Sequence, residues 1–349
     1  MNPLTDINTN LAFTCKHQII PEASADTDVL FKYARWLQKN NLVNRDKAVD
    51  AEIARLYRIA AENGHYKASI NLQNGALRGR FALSSHERLR LSQQLIDAKV
   101  AAGYYFIAIY LEHGAAGLAQ DPEMALRYYR KAADEGNPQA QAFLGEKLFP
   151  AKRAPQVAMQ MFRCAALQGE GKAANSLGIM LTIDQKYQDA VDVYQLGVAA
   201  GDSGSASFLE HGFAGPAPTD RLYYLALEKD PERARRYEQI GAVLAKYSWA
   251  QPVVPEINDI VPLPLPLPLP LPLPPAPLPL PLPLPLPPAP LPEWDGKLKW
   301  LEEREANIPP PEPSAALIEK LAKAKQLNPA TGRPLPTSPD FEKDSVAAP

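Results

Sequence analysis

HGAAGLAQDPEMALRYYRKAADEGNPQAQAFLG, residues 113–145, decides how the chain folds. Its Ala-rich middle ends on Gly136, and Asn137-Pro138 follows at once. A glycine takes the left-handed backbone that closes a helix at little steric cost. Asn then caps a second helix, and Pro suits that helix's first position. The stretch therefore predicts helix, turn, helix. Ala140 and Leu144, four and eight residues after the glycine, fall on one face of the second helix.

Working outward, the same plan recurs around Gly64, Gly103, Gly136, Gly169 and Gly201, spaced 39, 33, 33 and 32 residues. Seven residues before each glycine stands a large apolar residue: Tyr57, Ile96, Tyr129, Phe162 and Tyr194. Eight residues after each stands a leucine: Leu72, Leu111, Leu144, Leu177 and Leu209. A helical hairpin of this size cannot bury its apolar face alone, so neighbouring hairpins stack into one core. The fold class expected is all-α: a right-handed superhelical solenoid of helix–turn–helix repeats.

The features from Gly114 to Gly117, with Asp121, Ala125, Tyr128-Tyr129, Lys131-Ala132-Ala133, Gly136-Asn137 and Ala140 through Gly145, resemble the Sel-one-like repeat, a tetratricopeptide-type hairpin. The units at 53–75, 158–178 and 190–212 match in part, and the one around Gly103 departs most. A looser likeness covers most of the chain. The order FTCKHQIIPEA, LFKYARWLQKNN, the repeats, then IVPLP and APLPEWDGKLKW is similar to bacterial Sel-one-like proteins found beside type VI secretion lipase effectors. That resemblance implies an immunity protein that binds and neutralises the toxin, often in the periplasm. It is a likeness of layout and carries no site residue with it.

The organisation expected is an N-terminal extension (1–25), a capping helix (26–49), the repeats (50–212), two cap helices (213–250), a Pro/Leu linker (251–293) and a short helix in a partly disordered tail (294–349). The capping helix should start at Asp26 or Thr27 and bury Leu30, Ala34 and Leu37. Residues 219–250 read as two helices broken at Asp230-Pro231. In the tail, Ser314 caps one short helix, with too little apolar surface to fold alone, so the tail is either partly disordered or docked on the repeats.

Pro262 to Pro292 contain 17 Pro, 12 Leu and 2 Ala. So many prolines remove the amide donors that a membrane helix needs, which excludes a span. Polyproline II is the expected conformer, and the tract reads as a linker. PxxP spacing occurs only at the phase slips Pro272/Pro275, Pro274/Pro277, Pro285/Pro288 and Pro287/Pro290, a poor basis for a dedicated docking ligand.

The net charge of −2 and the lack of a basic run argue against nucleic acid or an anionic membrane as partner. Cys15 and Cys164 lie too far apart for a disulfide framework or a CxxC motif. Cys15-Lys16-His17 offers two metal ligands, and alone makes no site. The start lacks a basic segment followed by an apolar one, which reads as cytoplasmic; a leader missing from the sequence would make the periplasmic version compatible. No nucleophile, phosphate-loop or metalloprotease motif appears. Five histidines (His17, His65, His86, His113, His211) are scattered without useful acidic or cysteine neighbours.

The expectation is a non-enzymatic binding protein without cofactor or metal, whose partner is another protein. Immunity to a secreted antibacterial lipase is the first reading, and a cytoplasmic scaffold or adaptor the alternative. Residues seven after each glycine, Asn71, Tyr110, Phe143, Ser176 and Phe208, either line the partner groove or belong to the core.

Overall fold

A computed structural model describes residues 11–149, 154–263 and 290–341. Its helices, in chain order, are α1 (Ala25–Asn40), α2 (Lys47–Glu62), α3 (Tyr66–Leu77), α4 (Ser85–Asp97), α5 (Ala102–His113), α6 (Pro122–Asp134), α7 (Pro138–Leu148) and α8 (Pro155–Ala166). There follow α9 (Gly171–Ile183), α10 (Tyr187–Ala199), α11 (Ser203–Phe213), α12 (Pro231–Lys246), α13 (Ile257–Ile260), α14 (Lys299–Ala306) and α15 (Ala315–Ala324). Among the described residues the fold is all-α, apart from one isolated antiparallel bridge between Leu327 and Pro334. Consecutive helices pair as helix–turn–helix hairpins. Two compact units divide the chain: 1–164 with 307–349, and 165–306.

In the first unit, Gly64 (φ 85°) and Gly136 (φ 103°) close α2 and α6 in the left-handed region. Asn137 Oδ1 accepts from Ala140 N at 2.8 Å, with Pro138 leading α7. Asp121 caps α6 in the same way, accepting from Met124 N at 2.9 Å. Helix α1 is capped by Ser24, not by Asp26 or Thr27: the Ser24 hydroxyl already takes the Thr27 amide at 3.3 Å. Leu30 and Ala34 are buried and Leu37 packs against the same core.

The unit around Gly103 departs from the plan because its turn lies elsewhere. The left-handed residue there is Lys99 (φ 59°), and Gly103 sits inside α5. A Cβ at Gly103 would stand 2.5 Å from the Ser92 carbonyl oxygen, so this glycine lets α5 approach α4. A second kind of close approach ties one hairpin to the next. A Cβ at Gly145 would stand 2.8 Å from the Phe162 ring, so the aromatic at the repeat position before the turn presses on bare backbone.

The tail docks. Ser314 caps α15, as expected, and Ile318, Leu321, Ala322 and Leu327 join the core of α1, α2 and α3. Asn307 Oδ1 accepts from Trp36 Nε1 and from Asn40 Nδ2, both at 3.0 Å.

In the second unit Gly201 (φ 89°) closes α10, and Gly178 receives the Tyr194 ring as Gly145 receives Phe162. The expected pair of cap helices is one helix only, α12, capped by Asp230 through the Arg233 amide at 3.0 Å. Residues 219–229 are irregular. The Asp220 carboxylate takes the amides of Leu222 and Tyr223, both at 3.0 Å, and Ala226 is left-handed (φ 53°). Each feature withdraws backbone from a helical ladder. Helix α14, not anticipated, is held by Arg304, whose guanidinium lies 4.8 Å from the Trp249 ring centroid and 5.7 Å from that of Trp300.

Both flanks of the Pro/Leu tract rest on α12. Arg236 Nη1 donates to the Ile260 carbonyl and Nη2 to the Pro292 carbonyl, each at 2.8 Å, and Arg233 donates to Pro262 at 3.2 Å. One buried guanidinium thus joins both flanks, and a spacer that leaves here and returns here does not hold its ends apart. The expected polyproline II conformer and all four phase slips involve residues within 264–289, outside the described residues.

Candidate partner-binding surface

In the hairpins around Gly64, Gly136 and Gly201 the residue seven before the turn meets the residue seven after it. The Tyr129 and Phe143 rings lie 4.1 Å apart at their centroids, and Tyr194 stacks on Phe208 at 4.7 Å. In the first hairpin Asn71 Nδ2 approaches the Tyr57 hydroxyl at 3.4 Å. The hairpin explains the pairing: equal offsets on two antiparallel helices bring the side chains level. The inner partner is buried, and Asn71, Phe143 and Phe208 are half-buried, with one edge reaching solvent. Ser176 is half-buried on α9.

Tyr110 is different. It is fully buried, and its hydroxyl donates to Gln73 Oε1 at 3.1 Å. The shift of the turn from Gly103 to Lys99 puts Tyr110 eleven residues past the turn instead of seven, which sends it inward. Of the two places open to this residue in the sequence, the core is the one it takes.

The buried phenols are hard to ionise. Burial pushes Tyr194 up to about 12. Tyr129 is also raised, first by burial and then by Glu112, whose Oε2 accepts its proton at 2.6 Å. Both hydroxyls stay protonated, Tyr129 donating to Glu112 and Tyr194 sharing a hydrogen bond with Thr182 Oγ1 at 3.4 Å, and they fix the ring on which the outer aromatic leans. Around Phe143, Lys147 Nζ lies 5.0 Å from the ring centroid, and Tyr105 meets the Tyr129 ring at 5.8 Å. Around Phe208, Tyr223 lies at 5.8 Å, with the His211 ring stacked on Tyr223 at 4.2 Å. Half-exposed aromatics backed by rigid neighbours suit interface anchors, because little side-chain freedom is left to lose on binding.

The N-terminal extension is a strap. Phe13 is buried among Tyr129, Ala133, Leu144 and Met161. Arg130 donates to the carbonyls of Leu11 and Ala12, Gln141 to that of Lys16 at 3.0 Å, and Gln18 Oε1 takes the Ala102 amide at 2.8 Å. Gly136 is bare where the strap crosses: a Cβ there would stand 2.6 Å from the His17 carbonyl carbon. Cys15 and Cys164 form a disulfide with Cα atoms 5.6 Å apart. This corrects the reading that their separation in sequence keeps them apart, since an extended strap returning over α6 and α8 cancels 149 residues of chain.

Two histidines also have neighbours that spacing hid. His17 lies beside both cysteines. His65 caps α3, accepting from Ala68 N at 3.1 Å, with Nε2 3.7 Å from Asp28. A signal for the strap was present in Leu11 and Phe13, the larger apolar side chains, which alternate with the exposed Ala12 and Thr14 as an extended segment packed on one side does.

Comparison with known proteins agrees with this geometry. The Sel1 repeat family matches residues 101–137 and 138–170. A domain of unknown function, DUF6396, matches 205–272 and 283–335, leaving out part of the Pro/Leu tract. The immunity protein PA5088 from Pseudomonas aeruginosa superposes with a TM-score of 0.56 at 26% identity, over 72% of this chain and 94% of that one. A P. aeruginosa protein, PA5086, gives 0.53 at 26% identity over the same shares. For immunity protein Pa5087 of that organism, at 24% identity and 0.54 over 72% and 95%, the likeness is one of fold. No curated protein matches the chain. Among the described residues no helix is long and apolar enough to cross a membrane. The chain carries Sel1 repeats, and its fold is similar to that of Sel1-repeat and immunity proteins, an architecture that binds other proteins.

Proposed function

We propose that this protein is an immunity protein that binds a cognate antibacterial effector and neutralises it by covering its active site, without chemistry of its own. The observation that carries this reading is the likeness to the immunity protein PA5088 over nearly all of that protein's length. The layout of strap, repeats and Pro-rich segment, similar to that of proteins encoded beside lipase effectors, favours a lipase as the target. In this proposal each unit offers its own contact residues, Phe143 with Asn71 in the first and Phe208 with Ser176 in the second, and each phenylalanine is a flat apolar anchor backed by a buried tyrosine. A disulfide persists in oxidising compartments and supports action in the periplasm, where a lipase would meet its phospholipid.

The test is co-expression with the lipase-type effector encoded beside it. Restored growth together with co-purification of the two proteins is the expected result. Growth arrest with no complex would overturn the reading. A complex formed without rescue would favour the scaffold alternative.

A further inference from the structure

Three ligand-bearing side chains meet where the strap crosses α8. The sulfurs of Cys15 and Cys164 and a ring nitrogen of His17 lie within 4.8 Å of one another. Cys15 and His17 are two residues apart on an extended segment, so they project from one side of it. Cys164 rises from the buried face of α8 with no exposed surface. In the oxidised protein the two sulfurs bond to each other. We propose that the reduced protein uses the same three side chains to bind a thiophilic divalent cation of the zinc class, exchanging the sulfur–sulfur cross-link for a sulfur–metal–sulfur one.

The donor set selects the ion. Two thiolates and an imidazole suit zinc and reject magnesium or calcium, which require oxygen. Zinc–sulfur bonds of about 2.3 Å and zinc–nitrogen bonds of about 2.0 Å put tetrahedral neighbours roughly 3.5–3.8 Å apart, inside the spread of this cluster. The Lys16 carbonyl oxygen stands 3.3 Å from Cys164 Sγ, and His17 is exposed, so the fourth position takes that oxygen or a water. The reaction balances with an external phosphine. The phosphine gives two electrons and becomes its oxide with oxygen from water, the disulfide becomes two thiols, and metal binding releases the two thiol protons. Either cross-link would hold Phe13 through Gln18 on the repeats, so the strap stays pinned in both redox states.

The full chain is reduced with tris(carboxyethyl)phosphine, freed of it without air, and titrated with Co2+ as a spectroscopic stand-in. The expected result is saturation at one equivalent, with near-ultraviolet thiolate-to-cobalt bands and intense tetrahedral visible bands, displaced by Zn2+. The oxidised protein should give neither. His17→Ala, which leaves the disulfide intact before reduction, should weaken cobalt binding by more than about tenfold, the loss that even outer partners of a metal cause. Absence of thiolate bands in a reduced chain that keeps its helical circular dichroism would overturn the site, and so would an unchanged affinity in His17→Ala. If reduction costs helical signal, Co2+ must restore it, and failure to do so counts equally against the proposal.

Discussion

Cys15 and Cys164 stand 5.6 Å apart at their Cα atoms although 149 residues separate them in sequence. The bond closes the repeats from α1 to α8 into one covalent loop. Closing a loop of that length restricts the unfolded chain by about 5 kcal/mol in the entropy model, and removal of native disulfides costs about 2–5 kcal/mol in practice. Cys15→Ser, measured by urea denaturation with a chelator present, should lose stability in that range while keeping its helical spectrum. An unchanged midpoint would mean that the strap's other contacts suffice.

Gly136 combines two constraints. Its φ of 103° disfavours any side chain, and the strap backbone fills the space a Cβ would take. Gly136→Ala should therefore destabilise by about 1–3 kcal/mol from backbone strain alone and also loosen the strap. The second effect separates this site from an ordinary turn: in Gly136→Ala the Cys15–Cys164 bond should be reduced faster by a mild thiol than in the parent. Gly169, equally left-handed but with nothing within 4 Å, is the control whose substitution should leave that rate unchanged.

The repeat could be read from sequence because its signals are local. Gly136, Asn137 and Pro138 act within one turn, and the offsets that put Tyr129 opposite Phe143 follow from helix geometry. The unit around Gly103 misled because glycine has two uses. Here it serves helix approach, while Lys99 adopts the left-handed turn that usually falls to glycine. Residues 219–229 are helical in composition and irregular in the fold because side-chain capping by Asp220 outweighs that composition. The strap, the disulfide and the docking of Ile318 and Leu321 depend on contacts across more than a hundred residues, which no local pattern encodes.

Arg236 offers a test of the Pro/Leu tract. Its guanidinium serves the Ile260 and Pro292 carbonyls at once. Arg236→Met keeps much of the side chain's bulk and removes the donors to both carbonyls, together with the Nε bond to Glu232 Oε1 at 2.9 Å. Ile260 is buried, so its carbonyl left unpaired costs about 1–3 kcal/mol, whereas Pro292 is exposed and its carbonyl can turn to water; a loss of roughly 1–3 kcal/mol is expected. Shortening 261–294 to VPLPPAPLPEW, by contrast, should change stability by no more than about 1 kcal/mol, because loop entropy varies slowly with length. Calorimetry on both variants checks the contrast, and a larger loss from shortening than from Arg236→Met would refute it.

Phe143 and Phe208 separate contact from core. Truncating a binding anchor costs about 2 kcal/mol or more of affinity, roughly thirtyfold in Kd. Phe143→Ala and Phe208→Ala should each weaken effector binding on that scale. Tyr110→Phe removes only the hydroxyl on Gln73, so it should lower stability by about 1 kcal/mol and leave affinity unchanged. Titration calorimetry against the cognate effector measures all three. Equal affinity throughout would place the effector contacts away from both phenylalanines.

His65 makes the first hairpin sensitive to acid. Burial holds its pKa below the usual 6.5, and Asp28, 3.7 Å from Nε2, opposes that shift without reversing it. Above pH 6.5 the ring is neutral in both folded and unfolded chains and adds no pH dependence. As pH falls below 6.5 the unfolded chain takes up a proton that the native chain refuses, so stability declines until the native pKa is reached. The slope from one such group is at most about 1.4 kcal/mol per pH unit. Protonation would also remove the lone pair with which Nδ1 accepts the Ala68 amide and caps α3. His65→Asn keeps a cap acceptor and does not titrate. It should cost some stability at pH 7.5, where the ring's stacking on Phe31 at 4.3 Å is lost. Between pH 7.5 and 5.0 it should lose less stability than the parent, as read from denaturation midpoints at both values. Parallel losses in the two proteins would show that the ring is protonated as readily in the fold as outside it.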